Sequence, residues 1–130
     1  MVTEFQVVNE LETYFKSIGL IVQRNKHFSL PRDIEWHSYV EIDLMIRKGD
    51  KEIPIEVKAN FKPSSIQKGI GQALSYLIFF KESWLAIPYR AVGLMETILR
   101  KTKLQNFRVL DWENKVLYEH YDGKVIGNKL

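Results

Sequence analysis

The sequence contains no cysteine among its 130 residues. This excludes disulfide bonds, thiolate zinc sites and cysteine nucleophiles. Long apolar runs are also missing: the longest extends from Ala73 to Phe80, is interrupted by Ser75 and is closed by Lys81. A membrane span needs about 20 apolar residues. Because the first residues also lack the basic and apolar regions of a secretion signal, we expect a cytoplasmic protein with no membrane segment.

Neither sign of charge is in large excess. The chain has 19 Lys and Arg against 16 Asp and Glu, a formal net charge of +3, and 45% of its residues are hydrophobic. These proportions are typical of globular proteins, and the length suits a single domain over residues 1–130 with one core. The slightly basic balance permits a polyanionic partner without identifying one.

The spacing of apolar residues and turn residues predicts the element order αβββαβαββ. Thr3 can cap the first helix, and Gly49 is expected in a hairpin turn between the second and third strands. The first helix has a stripe of apolar residues made of Val7, Val8, Leu11, Phe15 and Ile18. The predicted helices are 3–18, 64–81 and about 91–103; the predicted strands are 20–27, 37–47, 52–59, 84–88, 107–111 and 115–120; 28–36 is predicted as a loop and 121–130 as a loose tail. This order indicates an α/β fold, a three-layer α/β/α sandwich around a central mixed β-sheet.

The predicted hairpin formed by strands 37–47 and 52–59 carries the charged residues that suggest chemistry. Successive strand residues point to opposite faces, so Ile42, Leu44 and Ile46 should share one face. Asp43, Glu56 and Lys58 then emerge together if the aliphatic residues between them pack against a helix. Carboxylate oxygens are the ligands that Mg²⁺ or Mn²⁺ prefers, and a lysine can offset charge on a phosphate transition state. The alternative is an ordinary hairpin with a solvated charged face.

The order and spacing of these residues resemble the signature of PD-(D/E)XK nucleases. Asp43 is followed, after a turn, by Ile55-Glu56-Val57-Lys58, although Ile42 stands where the family name has proline. The resemblance implies a restriction-endonuclease-like fold with Asp43, Glu56 and Lys58 as catalytic residues. It also implies a metal ion held by the two carboxylates and by the backbone carbonyl of Val57.

A second motif follows on the next predicted helix. Gln72-Ala73-Leu74-Ser75-Tyr76 resembles the QxxxY motif of RecB-type members of the family, and its four-residue step places Gln72 and Tyr76 on one helix face. The resemblance implies that Gln72 contacts substrate or maintains the geometry of the site, and that Tyr76 belongs to the DNA-binding surface. A surface glutamine and a core tyrosine are the alternative.

The first helix supplies a further candidate. Glu4 falls within its apolar stripe, where an unpaired carboxylate would be costly. The family's first-helix glutamate completes the metal site, so the resemblance makes Glu4 the preferred additional metal ligand and Glu10 the reserve.

Basic residues in segments that flank the predicted site are candidates for phosphate contacts. They are Arg24, Lys26, Arg32, Lys62 and Lys68. Each of them is explained equally well as a solvated surface residue. Trp84, in a strongly apolar strand, is predicted to be core.

Together these features predict a Mg²⁺- or Mn²⁺-dependent deoxyribonuclease that hydrolyses phosphodiester bonds, a small stand-alone enzyme of archaeal or viral type. We expect DNA as its partner and a homodimer as its assembly, with the apolar segment from Leu77 to Trp84 as a candidate contact. The chain is also similar to archaeal Holliday-junction resolvases in length and element order, but its QxxxY motif departs from them. Three alternatives remain open: a Holliday-junction resolvase, a non-catalytic DNA-binding or assembly module that retains the fold, and an unrelated α/β protein with a coincidental motif.

Overall fold

The computed structural model describes the backbone of residues 2–29 and 39–130 and the side chains of residues 2–26 and 41–130. Arg32 and most of the loop predicted over 28–36 lie outside the described residues. The described elements are α1 (Glu4–Ser17), β1 (Ile21–Ser29), β2 (Tyr39–Lys48), β3 (Lys51–Val57), α2 (Pro63–Ser75), β4 (Ser83–Ile87), α3 (Val92–Thr102), β5 (Phe107–Asp111), β6 (Val116–Tyr121) and β7 (Lys124–Lys129), with short 3-10 turns at Tyr76–Ile78 and Tyr89–Ala91.

The strands form one mixed sheet in the order β1-β2-β3-β4-β5-β6-β7. Strands β1 to β3 are antiparallel, β3 to β5 are parallel, and β5 to β7 are antiparallel again. The two parallel crossovers run through α2 and α3. Because both crossovers advance in the same direction across the sheet and such connections are right-handed, both helices lie on the same face.

The core has two layers, one on each face of the sheet. Helix α1 packs Val7, Leu11 and Phe15 against apolar residues of β2, β3 and β4. On the other face, α2 and α3 pack Ile66 and Met95, among others, against β4 and β5. The predicted three-layer α/β/α sandwich with a central mixed sheet is therefore confirmed.

Helix α1 begins where the sequence predicts. Thr3 Oγ1 accepts a hydrogen bond from Gln6 N at 3.1 Å, and Gln6 Oε1 accepts one from Thr3 N at 2.8 Å, which is a capping box. Val7, Val8, Leu11 and Phe15 are buried as expected, but Ile18 is exposed because the helix ends at Ser17. The prediction for Ile18 was wrong.

Two further predictions need correction. Helix α2 ends at Ser75 and continues only as a 3-10 turn, so it is shorter than the predicted range of 64–81. The predicted loose tail is a strand: β7 pairs with β6 from Tyr121↔Lys124 to Val116↔Lys129. The connecting turn, Asp122-Gly123, has positive φ at both residues, 51° and 77°, which is the backbone of a two-residue hairpin turn.

None of the helices in the described part of the chain has the length and apolar character that a bilayer crossing requires.

Candidate active site

The candidate site lies at the carboxyl end of β3, where its pairing with β2 stops. The last β2–β3 pair is Leu44↔Ile55, so Asp43 stands opposite Glu56 one step further along. There the Asp43 carboxylate replaces a β2 backbone carbonyl as hydrogen-bond acceptor. Its Oδ2 accepts a hydrogen bond from Val57 N at 3.1 Å. The two carboxylates are thereby brought together by the strand register itself.

The side-chain alternation predicted for β2 fails at Ile42. Leu44 and Ile46 face α1 as expected, but Ile42 packs with Met45 and Tyr76 on the other side. Strand β2 separates from β3 at this point, and Asn25, opposite Asp43 in β1, has φ of +51°. The interrupted pleat explains why Ile42 does not follow the period of two.

Glu56 is the more buried carboxylate, with 3% of its surface exposed. Its Oε1 accepts a hydrogen bond from the Tyr76 hydroxyl at 2.6 Å, and its Oε2 lies 3.6 Å from Lys58 Nζ. Burial, followed by the negative charge of Asp43, raises the pKa of Glu56 to about 7; Tyr76 and Lys58 oppose this only in part. Glu56 therefore changes protonation near neutral pH.

The pKa values of Asp43 and Tyr76 are also raised. Burial raises the pKa of Asp43, while the Val57 hydrogen bond lowers it and the charge of Glu4 raises it further. Burial and the neighbouring charge of Glu56 raise the pKa of Tyr76 well above its ordinary value. The Tyr76 hydroxyl consequently remains a hydrogen-bond donor to Glu56 throughout the physiological range.

Lys58 is held from three directions. Its backbone N donates to Ala86 O at 2.9 Å, and its carbonyl accepts from Trp112 Nε1 at 3.1 Å. Its side chain passes so close to α2 that a Cβ on Gly69 would lie 2.9 Å from Lys58 Cγ. The aliphatic stem is therefore buried, and the ammonium emerges between Glu56 and Glu4.

Glu4 rather than Glu10 lies beside the site. Glu4 Oε1 is 3.7 Å from Lys58 Nζ, whereas Glu10 pairs with Lys115 at 3.4 Å. The expectation that Glu4 lies within the buried stripe was wrong, because its side chain is half exposed at the first turn of α1. From there it reaches Lys58 over the edge of the sheet.

The donor set suits a hard divalent cation that retains water ligands. Among the side chains of residues 2–26 and 41–130, no group of three or more His, Asp or Glu converges closely enough to hold a metal ion. Mg²⁺, however, is commonly held by one or two carboxylates and keeps several waters. Asp43 and Glu56 supply the carboxylates, and since Val57 N points to Asp43, the Val57 carbonyl lies on that same side of the strand.

Gln72 and Tyr76 have different surroundings. Tyr76 is 1% exposed and contacts Glu56. It is therefore a core tyrosine and does not lie on the expected DNA-binding surface. The Oε1 atom of Gln72 is buried and has no hydrogen-bond partner. A buried amide oxygen without a partner is costly and is typical of a position that awaits a ligand or water.

The predicted phosphate-binding residues fall into two groups. Arg24 donates to Asn9 Oδ1 at 2.6 Å and lies 3.4 Å from Glu12, and Lys26 lies 3.7 Å from Glu52. Lys62, the N-cap of α2, and Lys68, next to Gly69 within α2, are exposed. A role in DNA binding stays a prediction for all of them.

Two residues that position Lys58 were not identified from the sequence. Gly69 carries a detectable signal, because a glycine within a helix often marks a close approach of another chain segment. Trp112 follows β5, and its contact with Lys58 spans 54 positions of the chain. Only the parallel pairing of β3, β4 and β5 brings it there.

No protein-family model and no curated protein matches the chain significantly. Three solved structures are similar. The fdxN element excision controlling factor protein from Anabaena variabilis has a TM-score of 0.59, 16% identity and 95% coverage of both chains. An XisH family protein from Nostoc punctiforme has a TM-score of 0.55, 14% identity and 95% coverage of both chains. The protein of unknown function AF1548 has a TM-score of 0.54 and 13% identity over 85% of this chain and 58% of its own. At these identities the likeness shows a shared fold.

Proposed function

We propose that this protein is a divalent-metal-dependent DNA nuclease of the PD-(D/E)XK type with a restriction-endonuclease-like fold. The observation that carries the proposal is electrostatic. Asp43, Glu56 and Glu4 supply three carboxylates around one ammonium, that of Lys58, and the two most buried carboxyls have raised pKa values. Such an arrangement is stabilised by a cation, and perturbed carboxyl pKa values are concentrated at functional sites.

The proposed roles follow from the contacts. Asp43, Glu56 and the Val57 carbonyl would hold the ion, with Glu4 at the edge. When bound, Mg²⁺ or Mn²⁺ polarises a phosphate and lowers the pKa of a coordinated water. Lys58 stabilises negative charge on the phosphoryl oxygens as the transition state forms. Tyr76 keeps Glu56 in one orientation through its 2.6 Å hydrogen bond.

DNA is the proposed substrate class. The backbone of DNA presents phosphodiesters at a regular spacing, and the exposed Lys62 and Lys68 suit that charge. One protein with the same fold is named as an fdxN element excision controlling factor, which is consistent with a DNA partner. We also propose a homodimer, because one small domain covers only a short length of duplex.

Plasmid nicking tests the proposed activity. Wild-type protein should convert supercoiled plasmid to open circle with Mg²⁺ or Mn²⁺ and not with EDTA. Glu56→Ala should abolish nicking and Lys58→Ala should slow it by roughly 10²–10³-fold, whereas Lys101→Ala, at the far end of α3, should have no effect. Nicking that survives in Glu56→Ala would reject the proposed site, since contamination or another surface would then be responsible.

A non-catalytic DNA-binding module is the second candidate. It is favoured by one observation: Lys58 already lies near both Glu56 and Glu4, and no three acids converge among the described residues. This candidate predicts DNA binding that is independent of divalent ions and no nicking with any of Mg²⁺, Mn²⁺ or Co²⁺. Metal titration by calorimetry separates the two, because the nuclease should bind Mn²⁺ and Asp43→Asn should lose that binding.

The dimer has its own test. Trp84 lies in the core, so within the predicted contact segment the exposed Ile78 is the residue to change. Light scattering should give twice the monomer mass, and Ile78→Glu should reduce it to the monomer.

A further inference from the structure

Three large aromatic side chains are exposed around the candidate site. Phe5 is 66% exposed, Tyr89 58% and Phe61 37%. Phe5 follows Glu4, whose carboxylate lies 3.7 Å from Lys58 Nζ. Phe61 comes three residues after Lys58, which limits their Cα separation to about 11 Å.

Tyr89 belongs to the same edge of the sheet. Strands β3 and β4 are parallel, so the loops that follow them leave the sheet side by side. The two loops are in contact: Arg90, after β4, has its Cζ 5.8 Å from the centroid of the ring of Phe61, after β3. A similar pair stands at the beginning of α1, where Arg24 Cζ lies 5.3 Å from the Phe5 ring.

Single exposed apolar residues are common and need no explanation. Here Phe61 and Tyr89 lie in two neighbouring loops at one edge of the sheet, and Phe5 follows Glu4, which is close to Lys58. Two of the rings have a guanidinium over one face, and Lys62 adds a further exposed positive charge beside Phe61. Flat rings interleaved with cations suit a ligand that has both π faces and a negative backbone.

We propose that Phe5, Phe61, Tyr89 and Arg90 form a stacking rim that binds the unpaired bases of single-stranded DNA beside the candidate site. In duplex DNA the base faces are covered by neighbouring bases and cannot reach these rings. Unpaired bases have free faces, and stacking on aromatic side chains is tolerant of sequence. As a statement of which DNA the enzyme acts on, the inference rests on the proposed nuclease function; as a statement about binding, it does not.

Fluorescence anisotropy in EDTA measures the binding without cleavage. The probes are a short labelled oligothymidylate and the duplex that it forms with its complement. Phe61→Ala and Tyr89→Ala should each weaken single-strand binding by about 5- to 150-fold, the equivalent of losing about 1–3 kcal/mol of stacking per base. Duplex affinity should change less than twofold. Phe61→Trp should retain single-strand affinity, because it keeps a ring at that position.

Tyr121→Ala is the matched control. Tyr121 is also a highly exposed aromatic, at 65%, but it lies at the end of β6 where the chain turns into β7. Its substitution should leave single-strand affinity unchanged. All four substitutions are at the surface, and thermal unfolding should give similar midpoints for them.

Equal losses on single-stranded and duplex DNA, or no loss in Phe61→Ala and Tyr89→Ala, would overturn the stacking rim. A fall to half the wild-type mass for Phe61→Ala in light scattering would also overturn it, because the rings would then be a contact between two copies of the chain. The nuclease proposal is tested separately: protein that cleaves neither plasmid nor the labelled oligothymidylate with Mg²⁺ or Mn²⁺, but loses single-strand affinity in both variants, retains the rim and loses the nuclease.

Discussion

Glu56 and Glu82 are both almost fully buried, at 3% and 2% exposure, near opposite ends of the parallel strands β3, β4 and β5. Glu82 immediately precedes β4, at the end where these strands begin. Glu56 lies one residue before the last β3–β4 pair, at the end where these strands finish. The two residues have the same chemistry and similar burial, so their different surroundings account for their different behaviour.

The negative charge of Glu82 is balanced by ion pairs and a hydrogen bond. Lys51 and Arg108 form ion pairs with its two oxygens, and Trp84 Nε1 donates to Oε2 at 2.5 Å. Arg108 also donates from Nε to Glu119 Oε2 at 2.6 Å. Burial alone would raise the pKa of Glu82, but the hydrogen bonds from Arg108, Lys51 and Trp84 outweigh it and lower the pKa below its ordinary value.

Glu56 is not compensated in this way. Around it, Asp43 and Glu4 add negative charge, and Lys58 is the nearby cation. Among the side chains that the structure describes, two carboxylates and two cations meet at the Glu82 end, against three carboxylates and one cation around Glu56. The difference separates an ion-pair network that stabilises the fold from a cluster whose charge is left for a ligand to balance.

Lys58→Ala should have the largest effect, because it removes the cation of the uncompensated end. If the ammonium stabilises the transition state, single-turnover cleavage should slow by roughly 10²–10³-fold, the effect of losing one preorganised donor. Mn²⁺ binding and DNA binding should survive. Lys58→Met retains most of the bulk and should be equally slow. Cleavage at the wild-type rate would mean that the motif is a coincidence of a charged strand.

Neutralising the two glutamates in turn tests the comparison directly. At pH 8, Glu82→Gln should lower the free energy of unfolding by roughly 3 kcal/mol, the low end of the range for breaking a buried ion pair, since Lys51 is half exposed. Glu56→Gln should be neutral or stabilising, because it removes a repelled charge and its amide oxygen still accepts from Tyr76. Urea unfolding measures both, and equal losses would contradict the distinction.

The contributions of Glu56 and Glu82 to stability should depend on pH with opposite signs. The pKa of folded Glu56 is about 7 against an ordinary 4.5, so between these values the folded state holds more protons than the unfolded state. Wild-type stability should therefore fall relative to Glu56→Gln as pH rises through that window, by up to about 3 kcal/mol. The pKa of Glu82 is lowered, so its contribution is present above pH 4.5 and is lost as pH falls further. Urea titrations across this range measure both trends, and a Glu56→Gln curve parallel to wild type would disprove the raised pKa.

Gly69→Ala is the mildest perturbation. Its Cβ would lie 2.9 Å from Lys58 Cγ and 3.0 Å from Leu85 Cδ1, so the lysine must move slightly. A small displacement should slow cleavage by about 10-fold, since a shift of about 1 Å costs about 10²-fold. Gly71→Ala is the matched control in the same helix, because a Cβ there meets nothing within 4 Å. If both variants cleave equally fast, Gly69 does not position Lys58.

Local patterns were sufficient for several parts of the fold. The capping residue Thr3 and the apolar stripe predict α1, and Gly49, with φ of +63°, marks the turn between β2 and β3. The period of two correctly groups Glu56 and Lys58 on the face of the sheet opposite Ile55 and Val57. These features depend on neighbours within a few residues, which is why they can be predicted from sequence.

The strand β7 was missed although part of its signal is local. Asp122-Gly123 is a strong hairpin turn sequence, but the residues after it alternate poorly and include Gly127. The structure explains that glycine: a Cβ there would lie 2.7 Å from Tyr118 Cε1, so the ring of the neighbouring strand covers the position. Pairing with β6 stabilises a segment whose own composition does not predict a strand.

The sequence by itself determined the residue types of the candidate site and the hairpin that carries Asp43, Glu56 and Lys58. Only the tertiary structure decided their environment. Tyr76 reaches Glu56 from another element, Trp112 holds Lys58 across 54 positions, and Glu4 approaches from the opposite face of the sheet. Those contacts depend on how helices pack and strands pair over long separations. The burial that shifts the pKa of Glu56 arises from the same packing, so it is absent from any local pattern.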